Sequence, residues 1–408
     1  MSNSTKIPRA AKWVLGIMVV LALTRDLISN GIPLRCQIAG QTFYPGLQVL
    51  WKSPDAVFAH PVLDSIRIYK AWKTFSYDVA PVFAPIAFSA GEKDSAQLAK
   101  APGCVQTFPN RQFRHWLGTD EQGRDVAAGM VAGARVAMLA GSVAMSLALL
   151  LGLLLGSVAG FYGDDRLRVR AGVWYLGGIG LVVAFLLAFV QRQYVLRFDT
   201  SGWQWLQSTI VFIGISLLFR WLGVLLSKIP YFSRVLLIPA DMLIMRLAEL
   251  FKALPLMVLL LALIAILKTE HTFWILIAMI GIFSWPDLAM FIRADMLRVR
   301  ALDFIAAARG MGYREAFILW RHALPNAMRS VLILCAFGFG AVILLEASLS
   351  FLGLGGPSTA GASWGSFLAR GDVGFRYWWI SLPAACAICA TILALNSIGE
   401  ALSRSRKD

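Results

Sequence analysis

The chain has 408 residues, of which 58% are hydrophobic and only 15% charged, with a formal net charge of +15. Several windows approach the roughly 20 apolar residues needed to cross a bilayer, so an ordinary soluble domain is excluded and the expected class is an all-α, polytopic helical membrane protein. The cations would also suit a nucleic-acid binder, but they cluster at the ends of apolar runs as the positive-inside rule requires, so no nucleic acid is expected as a partner.

Lys6, Arg9 and Lys12 precede an apolar run beginning at Trp13. No small-x-small cleavage site follows it, so residues 1–30 are read as a cytoplasmic tail and an uncleaved first span over about 13–30. Residues 31–134 carry Pro, Gly, Tyr and mixed charge without a long apolar run, and form an extracytoplasmic segment. Cys36 and Cys104 lie in it and either bridge or remain free thiols. Its end, HWLGTDEQGRD over 115–125, supplies capping oxygens from Thr119, Asp120 and Asp125, turn glycines at Gly118 and Gly123, and Arg124 between carboxylates. The pattern reads as a rigid turn that starts a helix, whereas metal binding by His115 and the acids fits no familiar ligand spacing.

Residues 135–408 read as the transmembrane domain. The second span, about 135–161, is followed by two uncharged stretches, about 172–190 and 205–226, the latter apolar apart from Arg220. Arg166, Arg168, Arg170, Lys228 and Arg234 flank them, so 166–235 is expected to be an inserted hairpin that leaves and re-enters the cytoplasm. Residues 238–267 start amphipathic, with Asp241, Arg246, Glu249 and Lys252, and enter lipid near Pro255. A short external turn at 268–271 leads to a span over 272–292 with a proline kink at Pro286.

The segment 293–326 cannot sit in lipid, since it holds Asp303, Arg309, Arg314, Glu315, Arg321 and His322. Ala306, Ala307 and Ala308 favour a helix, Gly310 and Gly312 end it, and Phe317, Trp320 and Leu324 recur at helical spacing before Pro325, which suits the first turn of the next helix. The fifth core span, 327–353, holds Glu346, an intramembrane carboxylate that must face protein or water. A loop over 355–376 follows, with Trp364, Trp378 and Trp379 assigned to the membrane interface. The last span, 382–398, carries Cys386 and Cys389 as packing residues, and Arg404, Arg406 and Lys407 place the C-terminus inside, as the N-terminus is.

Ala307, Ala308, Gly312, Leu324 and Pro325 fall where the EAA loop of ABC importer permeases has its pattern, with Ala306 in the place of the usual Glu. Arg321-His322-Ala323-Leu324-Pro325-Asn326 is the form in the dipeptide, oligopeptide and nickel permeases. Gly118, Thr119, Asp120, Gly123, Arg124 and Asp125 match that family's LGTD-x-x-GRD, Glu346 opens its Glu-Ala-Ser-Leu-Ser-Phe-Leu-Gly signature, and Ser363-Trp364-Gly365 is similar to it as well. The chain thus resembles a type I, binding-protein-dependent ABC importer permease of the bacterial inner membrane.

The resemblance implies a core of six spans, eight with the inserted hairpin. It implies as partners a second permease subunit, two ATP-binding cassette ATPase subunits and an extracytoplasmic substrate-binding protein. Asp303, Ala307, Ala308, Arg309, Gly312, Arg321, His322, Leu324 and Pro325 would couple to the ATPase. The sequence lacks any Gly-Lys dipeptide and hence a P-loop, so no cofactor is expected in this chain, and ATP and Mg would be bound by the partner ATPases. No nucleophile elbow or H-E-x-x-H occurs, so the chain is read as a transport subunit rather than an enzyme. A basic loop lying on lipid headgroups would explain the arginines but not the ordered glycines and Leu-Pro. A proton-coupled transporter would rest on Glu346, and a non-transporting scaffold would explain the hairpin but not the loop. Peptides, nickel complexes and other small polar solutes all fit as substrates.

Overall fold

The computed structural model describes residues 8–49, 63, 69–109, 111–193, 202–267, 272–354, 362–370 and 375–404. The expected turn at 268–271, most of the link between the hairpin helices, and Lys6, Arg406 and Lys407 lie outside the described residues. The chain divides into two compact units, Met1–Leu154 with Ala248–Asp408, and Leu155–Leu247.

In the first unit, α1 covers Arg9–Leu23 and stops short of the expected 13–30. Thr24 Oγ1 donates to the Val20 carbonyl at 2.6 Å, and the charges of Arg25 and Asp26 begin a separate turn, α2, at Arg25–Ile28. Asp26 accepts from Arg135 at 2.7 Å, which holds that turn against the next long helix. At 15 residues α1 is roughly 22 Å long, less than a hydrocarbon core, and it packs along the last helix of the chain.

The following polar segment is built from strands. β1 (Arg35–Ile38) pairs antiparallel with β2 (Gln41–Phe43) and with β3 (Val79–Val82), while β4 (Val105–Phe108) and β5 (Arg111–Arg114) form a separate hairpin. Short helices α3 (Pro45–Gln48) and α4 (Tyr69–Thr74) sit among them. Ile32, Cys36, Ile38, Leu63 and Trp72 make a small core of their own. Cys36 and Cys104 are both free thiols. Lys73 lies in the same segment with a wholly buried side chain, which burial would discharge; its pKa is lowered by desolvation and supported by Glu92 at 2.7 Å. Its ammonium also stands 3.8 Å over the Phe88 ring.

The long helix α5 runs Val126–Tyr162, starting well before residue 135 because Asp125 Oδ1 accepts the Ala128 N–H at 2.6 Å and caps it. Small residues let other helices approach: a Cβ on Gly133 would collide with the Trp364 indole, and one on Gly281 would meet the Ala144 carbonyl at 2.7 Å. Trp364 is therefore a core residue, 2% exposed, and not an interface anchor. Its indole N–H donates to the Met130 carbonyl at 3.0 Å, sparing the chain a buried orphan donor that would cost about 1–3 kcal/mol.

The second unit is dominated by a helical hairpin. α6 (Ala171–Phe185) ends in a π-helical turn, Leu186–Val190, and packs against α7 (Gly202–Leu226). Gly172 and Gly223 allow the two backbones to touch, and Gly180 lies under Phe219. Strands β6 (Arg168–Arg170) and β7 (Val235–Leu237) zip the base. Trp203, Ile210, Leu217 and Trp221 point outward, as a lipid-solvated hairpin requires.

α8 (Ala240–Ala253) is amphipathic, and α9 (Leu256–Leu267) continues it after a bend of 69° at the Leu254–Pro255 break. α10 (Thr272–Val299) contains Pro286, and α11 (Asp303–Gly310), α12 (Glu315–Ile318), α13 (Leu324–Phe351), α14 (Trp364–Arg370) and α15 (Trp378–Arg404) complete the chain. Six helices among the described residues are long and apolar enough to cross a membrane, and the bent pair α8–α9 brings the count to seven when taken as one span. α15 extends the expected last span at both ends. Cys386 and Cys389 are free thiols exposed on its surface.

Cys36 generates a test of the strand-rich segment. Burial pushes its thiol up to about 11 and leaves it 1% exposed. Since only the thiolate reacts, alkylation by iodoacetamide at mildly alkaline pH should run at least about a hundredfold slower in the native protein than after denaturation, and rise with pH until the fold is lost. Comparable native and denatured rates, followed by mass spectrometry, would contradict the packing.

Candidate functional site

The segment after α10 turns at Arg300–Leu302, where the Arg300 N–H bonds the Met296 carbonyl and the Leu302 N–H the Val299 carbonyl. Leu302 is extended and Asp303 begins α11, its carboxylate in the first turn where the helix dipole favours an anion. Ile305 and Ala308, three apart, are buried and fix one face of this two-turn helix. Asp303, Ala306 and Ala307 are exposed on the other face. The methyl side chain at 306 therefore leaves a smooth surface where the family pattern would carry a carboxylate.

Gly312 ends the helix, whereas Gly310 is its last residue. The Gly312 N–H donates to the Arg309 carbonyl at 2.9 Å and the Tyr313 N–H to the Ala308 carbonyl at 3.3 Å, the paired bonds of a Schellman cap. Gly312 adopts φ +80, and no atom lies within 4 Å of where its Cβ would be. The left-handed backbone thus demands glycine there, and the space beside it is open. Arg309 closes the turn from outside, with Nε donating to Glu315 Oε1 at 2.8 Å and Nη2 to Oε2 at 3.3 Å. This two-point clamp fixes the angle between α11 and α12.

α12 does not stop before the next helix. Leu319–Ala323 form a π turn that runs directly into α13, with Pro325 in its first turn. Pro325 has no N–H for the Arg321 carbonyl, and its ring would collide with that carbonyl in a regular helix; widening the preceding turn relieves both problems. Asn326 Nδ2 donates to the His322 carbonyl at 2.7 Å, recovering one acceptor. Ile318, Leu319, Ala323, Leu324 and Ala327 are buried, so the join is anchored, while Arg321 and Pro325 are exposed. Tyr313 stacks on Phe317 with centroids 5.2 Å apart, and the His322 ring lies 5.7 Å from Phe317. Around this charged turn Phe304, Met311, Tyr313, Phe317 and Trp320 remain exposed.

A second constellation lies at the start of α5. Thr119 Oγ1 donates to the Gln97 carbonyl at 2.5 Å and accepts the Lys100 N–H at 2.8 Å. Asp120 is wholly buried: its Oδ1 accepts the N–H groups of Gln122 and Arg124, at 2.9 and 2.8 Å, and its Oδ2 accepts from Arg370 at 2.7 Å. Burial and the neighbouring Arg370 cation lower the Arg124 pKa, and Asp120 opposes them. Gly118 and Gly123 both have positive φ, and a side chain at either would run into backbone. His115 Nδ1 lies 2.7 Å from Asp125 Oδ2, with Nε2 3.3 Å from Gln106 Oε1 and the ring stacked on Phe88. The Trp379 indole donates to the Thr119 carbonyl at 3.2 Å. The turn therefore ties the strand-rich segment to α5, α14 and α15.

Glu346 is 5% exposed; its Oε1 accepts from Ser350, one turn along the same helix, at 2.8 Å, and Ser363 also bonds it. The structure thus gathers 303–325 into one capped helix–turn–helix, 118–125 into another closed turn, and Glu346 into a serine pocket. The Arg309–Glu315 clamp was missed by the sequence reading, although opposite charges six residues apart across Gly310 and Gly312 were a local signal for it, whereas the Asp120–Arg370 pair joins residues 250 apart and carried no local signal.

Residues 231–408 match the family described as Binding-protein-dependent transport system inner membrane component. Over 166 residues the chain is 39% identical to proteins of Brucella ovis and Brucella suis, each bearing the name of a peptide permease protein; the alignments cover 40% of this chain and 54% of each relative. The chain thus spans about half the length of those relatives. It is also 25% identical over 392 residues, 96% of its length, to the Inner membrane ABC transporter permease protein YejE of Escherichia coli strain K12, covering 90% of that protein. Residues 231–408, which hold the capped helix–turn–helix at 303–325 and the spans on either side of it, thus carry the domain described as a binding-protein-dependent transport system inner membrane component.

Proposed function

We propose that this chain is the transmembrane subunit of an ATP-driven importer for peptides or related small solutes. It would form the pathway with a second permease subunit, bind two ATPase subunits on the cytoplasmic side and receive solute from an extracytoplasmic binding protein. With the short α1 counted as a further crossing beside the other seven, both termini would be cytoplasmic. The observation that carries this reading is the segment 303–325, a rigidly capped helix that offers exposed apolar side chains beside charges and is continuous, through its π turn, with the span α13.

The mechanical argument follows from stiffness. Closure of the ATPase dimer would push α11 as a rigid body, because Schellman cap and Arg309–Glu315 clamp leave little freedom in the turn. The push would pass into α13 through the unbroken helix rather than through a loose linker. The turn at 118–125, crosslinked to α14 and α15, would hold the opposite end still. A proton-coupled carrier would rest on Glu346, whereas Glu346 is held in a serine pocket.

Gly312→Arg forces a non-glycine residue into the left-handed region, costing about 1–2 kcal/mol, and fills the open space with a bulky cation. It should lower ATP-driven uptake at least roughly tenfold in reconstituted vesicles while ATP hydrolysis becomes uncoupled. Normal uptake by that variant would contradict the docking role. Asp120→Asn leaves Arg370 facing a neutral amide in a buried site, and should destabilise the assembled protein by about 3 kcal/mol or more, read as a fall in its thermal midpoint.

A further inference from the structure

α10 presents an exposed face that is apolar at Trp274, Met290 and Phe291 but interrupted by a carboxylate. Asp287 lies on it with a side chain 69% exposed, and its Oδ1 accepts from Lys252 Nζ at 2.7 Å. Fifteen residues separate Asp287 from the start of α10, roughly 22 Å at 1.5 Å per residue, and Arg293 follows about 9 Å further on. The pair therefore lies in the inner part of the span, at the level where α8 gives way to α9 at Pro255, and short of the cytoplasmic arginines. Lys252 reaches it from the last turn of α8, just before the 69° bend at Leu254–Pro255.

An ion pair this open contributes at most about 1 kcal/mol to folding, so stability does not account for it. Charges at such depth face protein or an aqueous space. The space is present: a cleft of about 450 Å³ is walled by Met145, Leu256, Phe337 and Leu345 with Ser284 and Asp287 as its polar groups, and Lys252 is tied to its edge through Asp287. That volume falls in the range of small-ligand sites, and its lining of apolar wall with few convergent polar groups is what such sites show.

We propose that Lys252, Asp287 and Ser284 form a water-filled solute-contact site on the wall of the translocation pathway, suited to a small zwitterion. The Asp287 carboxylate would take an ammonium group and the Lys252 ammonium a carboxylate, as the pair opens and exchanges one partner for the solute's two ends. Each exchange replaces one ion pair by two, so neither charge is left unpaired in the span, and contact remains weak enough for onward passage. The inference rests on the permease reading, and locates its pathway.

The test uses the assembled transporter, reconstituted in vesicles with its partner subunits, in which the five native cysteines are replaced by alanine. ATP-driven uptake by this assembly is measured first, because its failure would count against the permease reading itself. Asp287→Cys and Lys252→Cys are then labelled with a cationic and an anionic methanethiosulfonate. With Lys252 left alone, the anionic reagent should react at Asp287→Cys at least about threefold faster than the cationic one, and the preference should reverse at Lys252→Cys. Millimolar trialanine should slow labelling at both. If a variant does not assemble, Ser284→Cys in the same cleft should label and be protected in the same way. Absence of labelling in a transporter that takes up solute would mean that the face is covered by protein or lipid and would overturn the proposal; labelling that trialanine leaves unslowed would overturn the solute contact.

Discussion

A chain that must leave hydrocarbon, turn in water and return has to satisfy its backbone at the turn without flexibility if it is also to transmit force. Here the solution is the cap at 308–313. Two backbone bonds consume the last carbonyls of α11, a positive-φ glycine makes those bonds possible, and the Arg309–Glu315 clamp stiffens the result. Everything proposed about coupling depends on this turn being a single body, since a mobile loop would absorb displacement instead of passing it on.

The same logic recurs at the other end of the spans. Asp120 satisfies two backbone donors and one guanidinium from a helix 250 residues away, while Asp125 both caps α5 and holds His115. Each carboxylate does local and long-range work at once. The turn at 118–125 can thus serve as a fixed abutment, with Trp379 pinning α15 to it. The two turns differ in what they leave outside: the first is closed inward, whereas the helix–turn–helix at 303–325 keeps Phe304, Met311, Tyr313, Phe317 and Trp320 exposed beside its charges.

Much of this was legible in the residues because it is local. The glycines after an Ala-rich run predict a helix stop, and an amphipathic stretch before Pro255 predicts where the chain enters lipid, though not the 69° bend the structure shows there. The departures arose where tertiary contact overrides local pattern. Trp364 suited an interface by type, but glycines on α5 open a slot for it. The first helix ended early because Asp26 had a partner in Arg135, and α5 began early because Asp125 supplied a cap. The π turn before Pro325 was beyond pattern reading: the proline signalled a discontinuity, but not that widening one turn would preserve a continuous helix. The Lys252–Asp287 pair was likewise invisible, since it joins residues on two separate helices.

The central claim, that α11 and its cap are an ordered surface covered by the ATPase, is tested most directly by hydrogen exchange of residues 303–313 with and without the ATPase subunits. The account predicts amides already protected in the permease alone, slowing at least about tenfold further when the ATPase is bound. Rapid exchange in both states, or protection unchanged by the ATPase, would contradict it.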